Sequence, residues 1–258
     1  MRIIVAIKQI LDPAGITVNR RRERVFTENA ERIINPADQR ALEAGLRLKE
    51  REGGDLIALS LGPQAADDAL REALALGADS AYLLSDELLT AADAGGVTRA
   101  LGKAIEMIGG YDLVLTGQAA ADTGSEQIAG RLAELLGLPQ VLEAIELEPA
   151  GGGLRVTRRW DGARVQVETS LPAVVAVSAE APPARYLHGG RIMNAYREWG
   201  VTTWTTADLG LAEEELRPAI ESRGLMFPQP RELGNRLTGS PKEAAREVVT
   251  QLRSRRLI

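Results

Sequence analysis

The sequence predicts an α/β protein: a doubly wound, mostly parallel sheet with helices on both faces, an antiparallel hairpin region and a C-terminal extension. Three observations carry this. Short apolar runs alternate with helically spaced segments through the first 140 residues. After Pro139 the pattern changes to two-residue alternation broken by glycine turns, and beyond residue 182 continuous apolar pattern nearly disappears. Repeated strand–helix–strand units imply a parallel sheet, because each crossover lays a helix against one of its faces.

In chain order, RIIVAI at 2–7, DLIALSL at 55–61, SAYLL at 80–84 and DLVLT at 112–116 read as buried strands. Between them PADQRALEAGLRLKERE, PQAADDALREALALGA and AADAGGVTRALGKAIEMIGG carry apolar residues near i, i+3, i+4 and i+7. In the second of these, Ala66, Leu70, Ala73, Leu74 and Gly77 share one side. Pro36 and Pro63 suit first helical turns, where a missing N–H has no intrahelical partner. Ile128, Leu132, Leu135 and Leu136 mark the expected buried stripe of a further helix. Residues 141–148 and 154–169 alternate, with GGG at 151–153 and Asp161–Gly162 as turns, and LPAVVAVSA at 171–179 reads as a strand returning to the sheet. We therefore divide the chain into an α/β nucleotide-binding domain, 1–182, and a C-terminal arm, 183–258. So little self-contained core suits an arm lying on a partner chain, with a flexible regulatory tail as the alternative.

Composition removes several classes of function. The 258 residues carry a net charge of −5, which argues against general nucleic-acid binding. NRRRER at 19–24 lies between two β-like pieces and reads as a solvated hairpin tip. There is no cysteine, so thiolate metal sites and cysteine nucleophiles are excluded. The single histidine, His188, leaves no partner for a His-rich metal site and argues against a Ser-His-Asp triad. The N-terminal apolar run is too short for a secretory signal and no window is long enough to span a membrane, so a cytoplasmic protein is expected.

The chemistry-bearing stretch is LTGQAAADTGSEQIAGRLAE, 115–134, where a strand hands over to a helix. In open parallel sheets ligands bind at the carboxyl ends of strands, which places the loop Gly117 to Gln127 at a ligand crevice. Thr123 and Glu126 have capping-box spacing, with Asp122 or Ser125 as other caps. Free N–H groups at a helix start suit phosphate, and Gly117 and Gly124 would let backbone approach a ligand. A plain capped helix explains the same residues. There is no G-x-G-x-x-G, and GGVTRALGK at 95–103 matches a phosphate loop in composition alone, with the wrong spacing inside a helical pattern.

Seven segments together resemble the β (small) subunit of electron-transfer flavoprotein. They are VAIKQILD at 5–12, INPADQRALEAGLRLKE at 34–50, ALREALALGAD at 69–79, G-Q-A-A-A-D-x-x-x-x-Q at 117–127, LPAVVAVSAEAPPARY at 171–186, IMNA at 192–195 and WTTADLGL at 204–211. The resemblance implies a heterodimer with an α subunit that holds most of a redox FAD. Such a carrier takes electrons from flavin dehydrogenases to a quinone reductase or another acceptor, and its β subunit buries AMP or, in the electron-bifurcating type that oxidises NADH, a second FAD. It also implies a cofactor pocket at Ala6, at Asn35, Pro36, Ala37 and Asp38, at Leu61, and along Gly117, Gln118, Asp122, Thr123, Gly124, Ser125, Gln127 and Ile128. On this reading Asp122 organises the loop and reaches ribose, Ser125 and backbone N–H groups hold phosphate, and Gln127 bonds the nucleotide.

The chain departs from the family pattern twice. Members usually read D-G-D or D-D-D where this chain has Asp122-Thr123-Gly124. The loop gripped by partner dehydrogenases usually has a leucine before I-M, where this chain has Gly189, so Leu187, Gly189, Ile192 and Met193 are the expected partner-recognition residues. The rivals of other classes are a stand-alone adenine-nucleotide-binding sensor module and an ATP-cleaving ligase or hydrolase. The first leaves the 182–211 segment without a purpose, and the second lacks locatable acid, base or metal ligands.

Overall fold

The computed structural model describes residues 1–220, 223, 224, 226–229 and 234–258. Met1–Ser222 form one compact unit and Arg223–Ile258 a second. In the first, a nine-stranded sheet is built from β1 (Arg2–Ile7), β2 (Asp55–Leu61), β3 (Ser80–Leu84), β4 (Leu113–Gly117), β5 (Gln140–Ala150), β6 (Gly153–Trp160), β7 (Ala163–Ser170), β8 (Ala173–Val177) and β9 (Thr202–Trp204). Their order across the sheet is β7-β6-β5-β8-β4-β1-β2-β3-β9, parallel from β5 to β9 and antiparallel from β5 to β7. From β1 the chain proceeds to β2 and β3 on one side, then returns to place β4 on the other. The strand order reverses between β1 and β4.

Alternate residues of the central strands feed two cores, as the pleat requires. Ile3, Val5, Ile7, Leu56, Leu113 and Leu115 pack under α1 (Pro36–Glu52) and α2 (Asp67–Leu76). Ile4, Ile57, Leu59, Val114 and Val174 pack under α3 (Ala94–Ile108) and α4 (Ile128–Leu136). Each helix has a local reason to begin where it does. Pro36 occupies the first turn of α1, and the Asp93 carboxylate caps α3 by accepting N–H groups from Gly95 at 2.9 Å and Gly96 at 3.1 Å. The composition that mimics a phosphate loop is therefore an ordinary helix. Residues 19–24 fall in and around the turn of a ribbon pairing Thr17–Asn19 with Arg24–Phe26, and a second ribbon pairs Gln9–Leu11 with Arg32–Ile34.

Three details differ from the expectations. Leu135 is 48% exposed, whereas Ala129, Leu132 and Ala133 are buried; the facing position on α3 is Gly102, and Leu135 leans over that side-chain-free spot. The α4 helix starts at Ile128, so the Thr123–Glu126 capping box does not form. Finally, the compact unit continues past the composition change near residue 182. The Thr202–Trp204 strand pairs with Tyr82–Leu84, the Trp204 ring lies 4.6 Å from that of Tyr82, and Leu209, Leu211 and Leu216 are buried. Between β8 and β9 lies α5 (Gly189–Arg197). Positions 221, 222, 225 and 230–233 of the expected arm lie outside the described residues.

The second unit contains α6 (Pro241–Ser254). Its start is a capping box in which Ser240 Oγ accepts the Glu243 N–H and the Glu243 carboxylate accepts the Ser240 N–H.

The close approach of α1 to the sheet rests on Gly45. A Cβ there would lie 2.8 Å from Leu56 Cδ1 and 3.2 Å from Leu115 Cδ1. Gly45→Leu is expected to overpack this layer and lower stability by about 1–3 kcal/mol, measurable as a shifted urea midpoint of the full chain. An unchanged midpoint would show that α1 has room to move.

Candidate functional site

A cavity of about 380 Å³ opens at the carboxyl ends of β1, β2 and β4, where the strand order reverses. This is where open α/β sheets bind ligands. Of the residues expected to hold a cofactor, Ala6, Asn35, Asp38, Leu61, Gly117, Gln118, Thr123, Ser125 and Ile128 line it; Pro36, Ala37, Asp122, Gly124 and Gln127 do not. Lining residues outside the expected set include Ile7, Lys8, Thr116, and Ala92 to Ala94 with Val97 and Leu101. The start of α3 thus forms a wall, and the signal for it was Asp93-Ala94 followed by two glycines, a helix cap next to the strand-end side of the sheet. A second cavity of about 400 Å³, lined by α1 residues such as Arg40 and Arg47 and by Ile145 and Leu147, lies away from those strand ends.

Asp38 organises the site. Its side chain accepts the Lys8 N–H at 2.7 Å and the Gly117 N–H at 2.9 Å, joining the ends of β1 and β4 to the first turn of α1. Burial pushes its carboxyl up to about 7, against the opposing pull of these backbone bonds, of Asn35 and of the Lys8 charge. Gly117 is glycine because a Cβ would fall 2.2 Å from Asp38 Oδ1 and 2.8 Å from the Ala37 carbonyl carbon. The close approach it permits is to α1. Gly124 has φ +62 with open space around it, a turn residue.

Asn35 is 1% exposed and its amide is occupied: Nδ2 donates to the Ala119 carbonyl at 2.9 Å and Oδ1 accepts the Ala121 N–H at 3.0 Å. Gln118 Oε1 accepts the Glu143 N–H at 2.9 Å. The first half of the loop is therefore latched to the scaffold. In the second half Asp122 pairs with Lys8 Nζ at 2.6 Å, and Gln127 Oε1 accepts from Arg131 Nε at 3.1 Å, outside the cavity. Two groups at this end of the loop lack a partner. The Ser125 Oγ is buried and makes no hydrogen bond, and no side chain caps the first turn of α4 beside it. A buried unpartnered hydroxyl next to free helix-start N–H groups fits a phosphate, which would satisfy both.

The expected partner-recognition residues lie apart from this cavity. Met193 is 51% exposed and Ile192 is at the edge of exposure, Gly189 is exposed, and Leu187 is turned inward against the core. Tyr186, which sequence reasoning passed over, is 99% exposed. His188 is exposed and caps α5, its Nδ1 accepting the Gly190 N–H at 3.2 Å. Arg185 anchors the segment by donating to Glu43 at 2.8 Å and to Glu50. Burial pushes the Glu43 carboxyl up, but hydrogen bonds from Arg185 and Arg47 outweigh it and hold the group below its ordinary value. Arg71 fixes the end of α5 by donating to the carbonyls of Ala195 at 2.6 Å and Trp199 at 3.1 Å.

Among the described residues no cluster of three acidic, His or Cys side chains could hold a metal, and no helix is long and apolar enough to cross a membrane. Fold and site define a doubly wound α/β protein with a preformed, phosphate-compatible cavity at its switch point. Comparison with known proteins gives the family. A model of the electron transfer flavoprotein domain matches residues 24–208. Over the full length of both chains, the sequence is 35% identical to the electron transfer flavoprotein subunit beta of Thermoanaerobacterium thermosaccharolyticum. It is likewise 32% identical to the caffeyl-CoA reductase-Etf complex subunit CarD of Acetobacterium woodii. Protein FixA of Rhizobium meliloti is 33% identical over 98% of this chain and 90% of its own. The chain belongs to the electron transfer flavoprotein family, on its β-subunit branch, with a role in electron transfer beside an α subunit.

Because the folded state holds the Asp38 proton more tightly than an unfolded chain, its stabilisation is full below about pH 4 and is lost as pH rises through about 7. Asp38→Asn, which cannot ionise, is expected to flatten that slope in urea unfolding between pH 4 and 8. An unaltered slope would assign the proton elsewhere.

Proposed function

We propose that this chain buries AMP in the switch-point cavity and is one half of a cytoplasmic heterodimer whose α subunit holds most of the redox FAD. In this reading the carrier accepts electrons from flavin dehydrogenases and passes them to a quinone reductase or a similar acceptor. The observation that carries the nucleotide assignment is that Ser125, a residue of the cavity lining, holds a buried, unpartnered Oγ beside the uncapped start of α4. Ser125 and the first-turn N–H groups would hold phosphate, while Ala6, Leu61, Val97 and Leu101 offer an apolar wall for a base. AMP there supplies binding free energy to the folded state by mass action, with no redox chemistry. Gln127 has its side-chain partner outside the cavity and Asp122 is paired with Lys8 on the cavity wall, which favours loop-building roles over direct ligand contact. The arm from residue 183 would lie on partners, with Tyr186, Ile192 and Met193 as its exposed apolar contacts.

A second reading has a specific observation behind it. CarD is named as a subunit of a complex of caffeyl-CoA reductase with an electron-transfer flavoprotein. A chain working in a complex of that kind would suit a second FAD in the same cavity, with NADH as electron source.

Co-purification of the full chain with its α subunit, followed by denaturation and chromatography of the released nucleotides, separates these readings. The expected result is one FAD and one AMP per heterodimer. Two FAD without AMP would establish the second reading, and FAD alone, one per heterodimer, would remove the cavity from nucleotide binding. Ser125→Ala is expected to leave the nucleotide-free protein at least as stable, since an orphaned hydroxyl is gone. It should weaken AMP about tenfold, the loss of one hydrogen bond worth about 1.4 kcal/mol. Equal AMP affinity in calorimetric titration would exclude that contact.

A further inference from the structure

The cavity wall carries a charge problem. Asp38 and Asp93 both line it, and Lys8 is the only cation among the described lining residues. Each carboxylate is committed to backbone: Asp38 to Lys8 and Gly117, Asp93 to Gly95, Gly96 and, at 2.9 Å, Ala219. A phosphate entering here meets the Asp93 carboxylate and, as pH rises through about 7, a second negative charge on Asp38, and it needs a positive group.

Lys8 is placed for that task from its backbone outward. Its N–H is held by Asp38 at 2.7 Å and its carbonyl accepts the Asn35 N–H at 2.8 Å, so the side chain starts from a fixed point on the cavity rim. Its ammonium group, however, rests on Asp122 Oδ2 at 2.6 Å. That pair is about two-fifths exposed, 42% and 36% by side chain, and half-exposed pairs of this kind contribute little to stability. Asp122 also sits at the junction of the loop. Asn35 holds Ala119 and Ala121 before it, whereas beyond it the turn is closed by the Gly124 N–H to the Ala120 carbonyl at 2.7 Å and a long 3.4 Å contact from the Ser125 N–H to Thr123 Oγ1. A phosphate oxygen bonded to Lys8, Ser125 and the α4 start together makes a set of charge-assisted bonds that a single carboxylate cannot match.

We propose that Lys8 is the phosphate-selecting residue of this cavity and that Asp122 is its exchangeable counter-ion, displaced from Nζ when the phosphate of an adenosine nucleotide arrives. The inference rests on the nucleotide reading of the cavity. Asp122 then acts as a competitor of the ligand, setting how strongly the nucleotide is retained, and the phosphate of AMP or the pyrophosphate of FAD meets the same lysine.

The test uses the full chain with its α subunit, freed of β-bound nucleotide and titrated calorimetrically with AMP, FAD and adenosine. Lys8→Met is expected to weaken AMP at least tenfold and to leave adenosine within twofold of the parent. Asp122→Asn is expected to tighten AMP severalfold without changing adenosine, and the double variant should behave as Lys8→Met alone. AMP affinity unchanged in Lys8→Met overturns the inference while leaving the nucleotide reading intact. Asp122→Asn weakening AMP and adenosine alike also overturns it, making Asp122 a ribose ligand. If the parent binds none of the three probes, the nucleotide reading falls and the inference with it. Should Lys8→Met fail to fold, the salt dependence of the parent protein decides: AMP affinity is expected to fall between 50 and 500 mM salt by about fivefold or more while adenosine affinity holds, in line with charge screening. A parallel response of the two ligands overturns the proposal.

Discussion

Two hydrogen bonds accepted by one carboxylate hold the strand-end side of this molecule together. At the point where β1 and β4 part, the N–H groups of Lys8 and Gly117 are both taken by the Asp38 side chain. Buried N–H groups without partners are strongly unfavourable, so the first turn of α1 is tied to both central strands at once. Much else follows from that joint. Residue 117 must be glycine to let the carboxylate in, Asn35 is carried to a position from which it spans Ala119 and Ala121, and the side chain of Lys8 emerges at the cavity rim. The arrangement sets a buried acid under the cavity, and burial outweighing its hydrogen bonds explains its raised proton affinity.

The joint also divides the lining residues into two groups. Asp38, Asn35, Gln118 and Asp93 are spent on backbone N–H and carbonyl groups and give the cavity its shape. Ser125 and the opening turn of α4 have no such engagement, and Lys8 has only a half-exposed one. Lys8 is the one cation among the described lining residues, and its charge is shared with Asp122. An anionic ligand therefore has a single positively charged side chain to meet in this cavity.

The strands, the winding and the location of the crevice were legible in the sequence because each rests on local pattern: five consecutive buried residues in β1, a clean helical stripe in α2, and Asp161–Gly162 at a hairpin turn where both residues take positive φ. What was not legible depended on distant neighbours. Nothing in Asp38 distinguishes a clamp from a ligand until Gly117 is brought beside it. Thr123 and Glu126 had the spacing of a helix start, yet the turn through Gly124 delays the helix to Ile128. The exposure of Leu135 reflects Gly102 on another helix, and the end of the compact unit is set by Thr202–Trp204 finding the free edge of β3, a pairing across more than a hundred residues.

That last pairing also changes the character of the chain between β8 and β9. With β8 buried inside the sheet and β9 fixed at its far edge, the intervening segment is a bridge fastened at both abutments, and Arg185 and Arg71 rivet it in the middle to α1 and α2. Exposed Tyr186 and Met193 thus ride on chain whose freedom has already been removed by folding. Any surface that docks against them orders little further backbone, so less conformational entropy opposes the encounter.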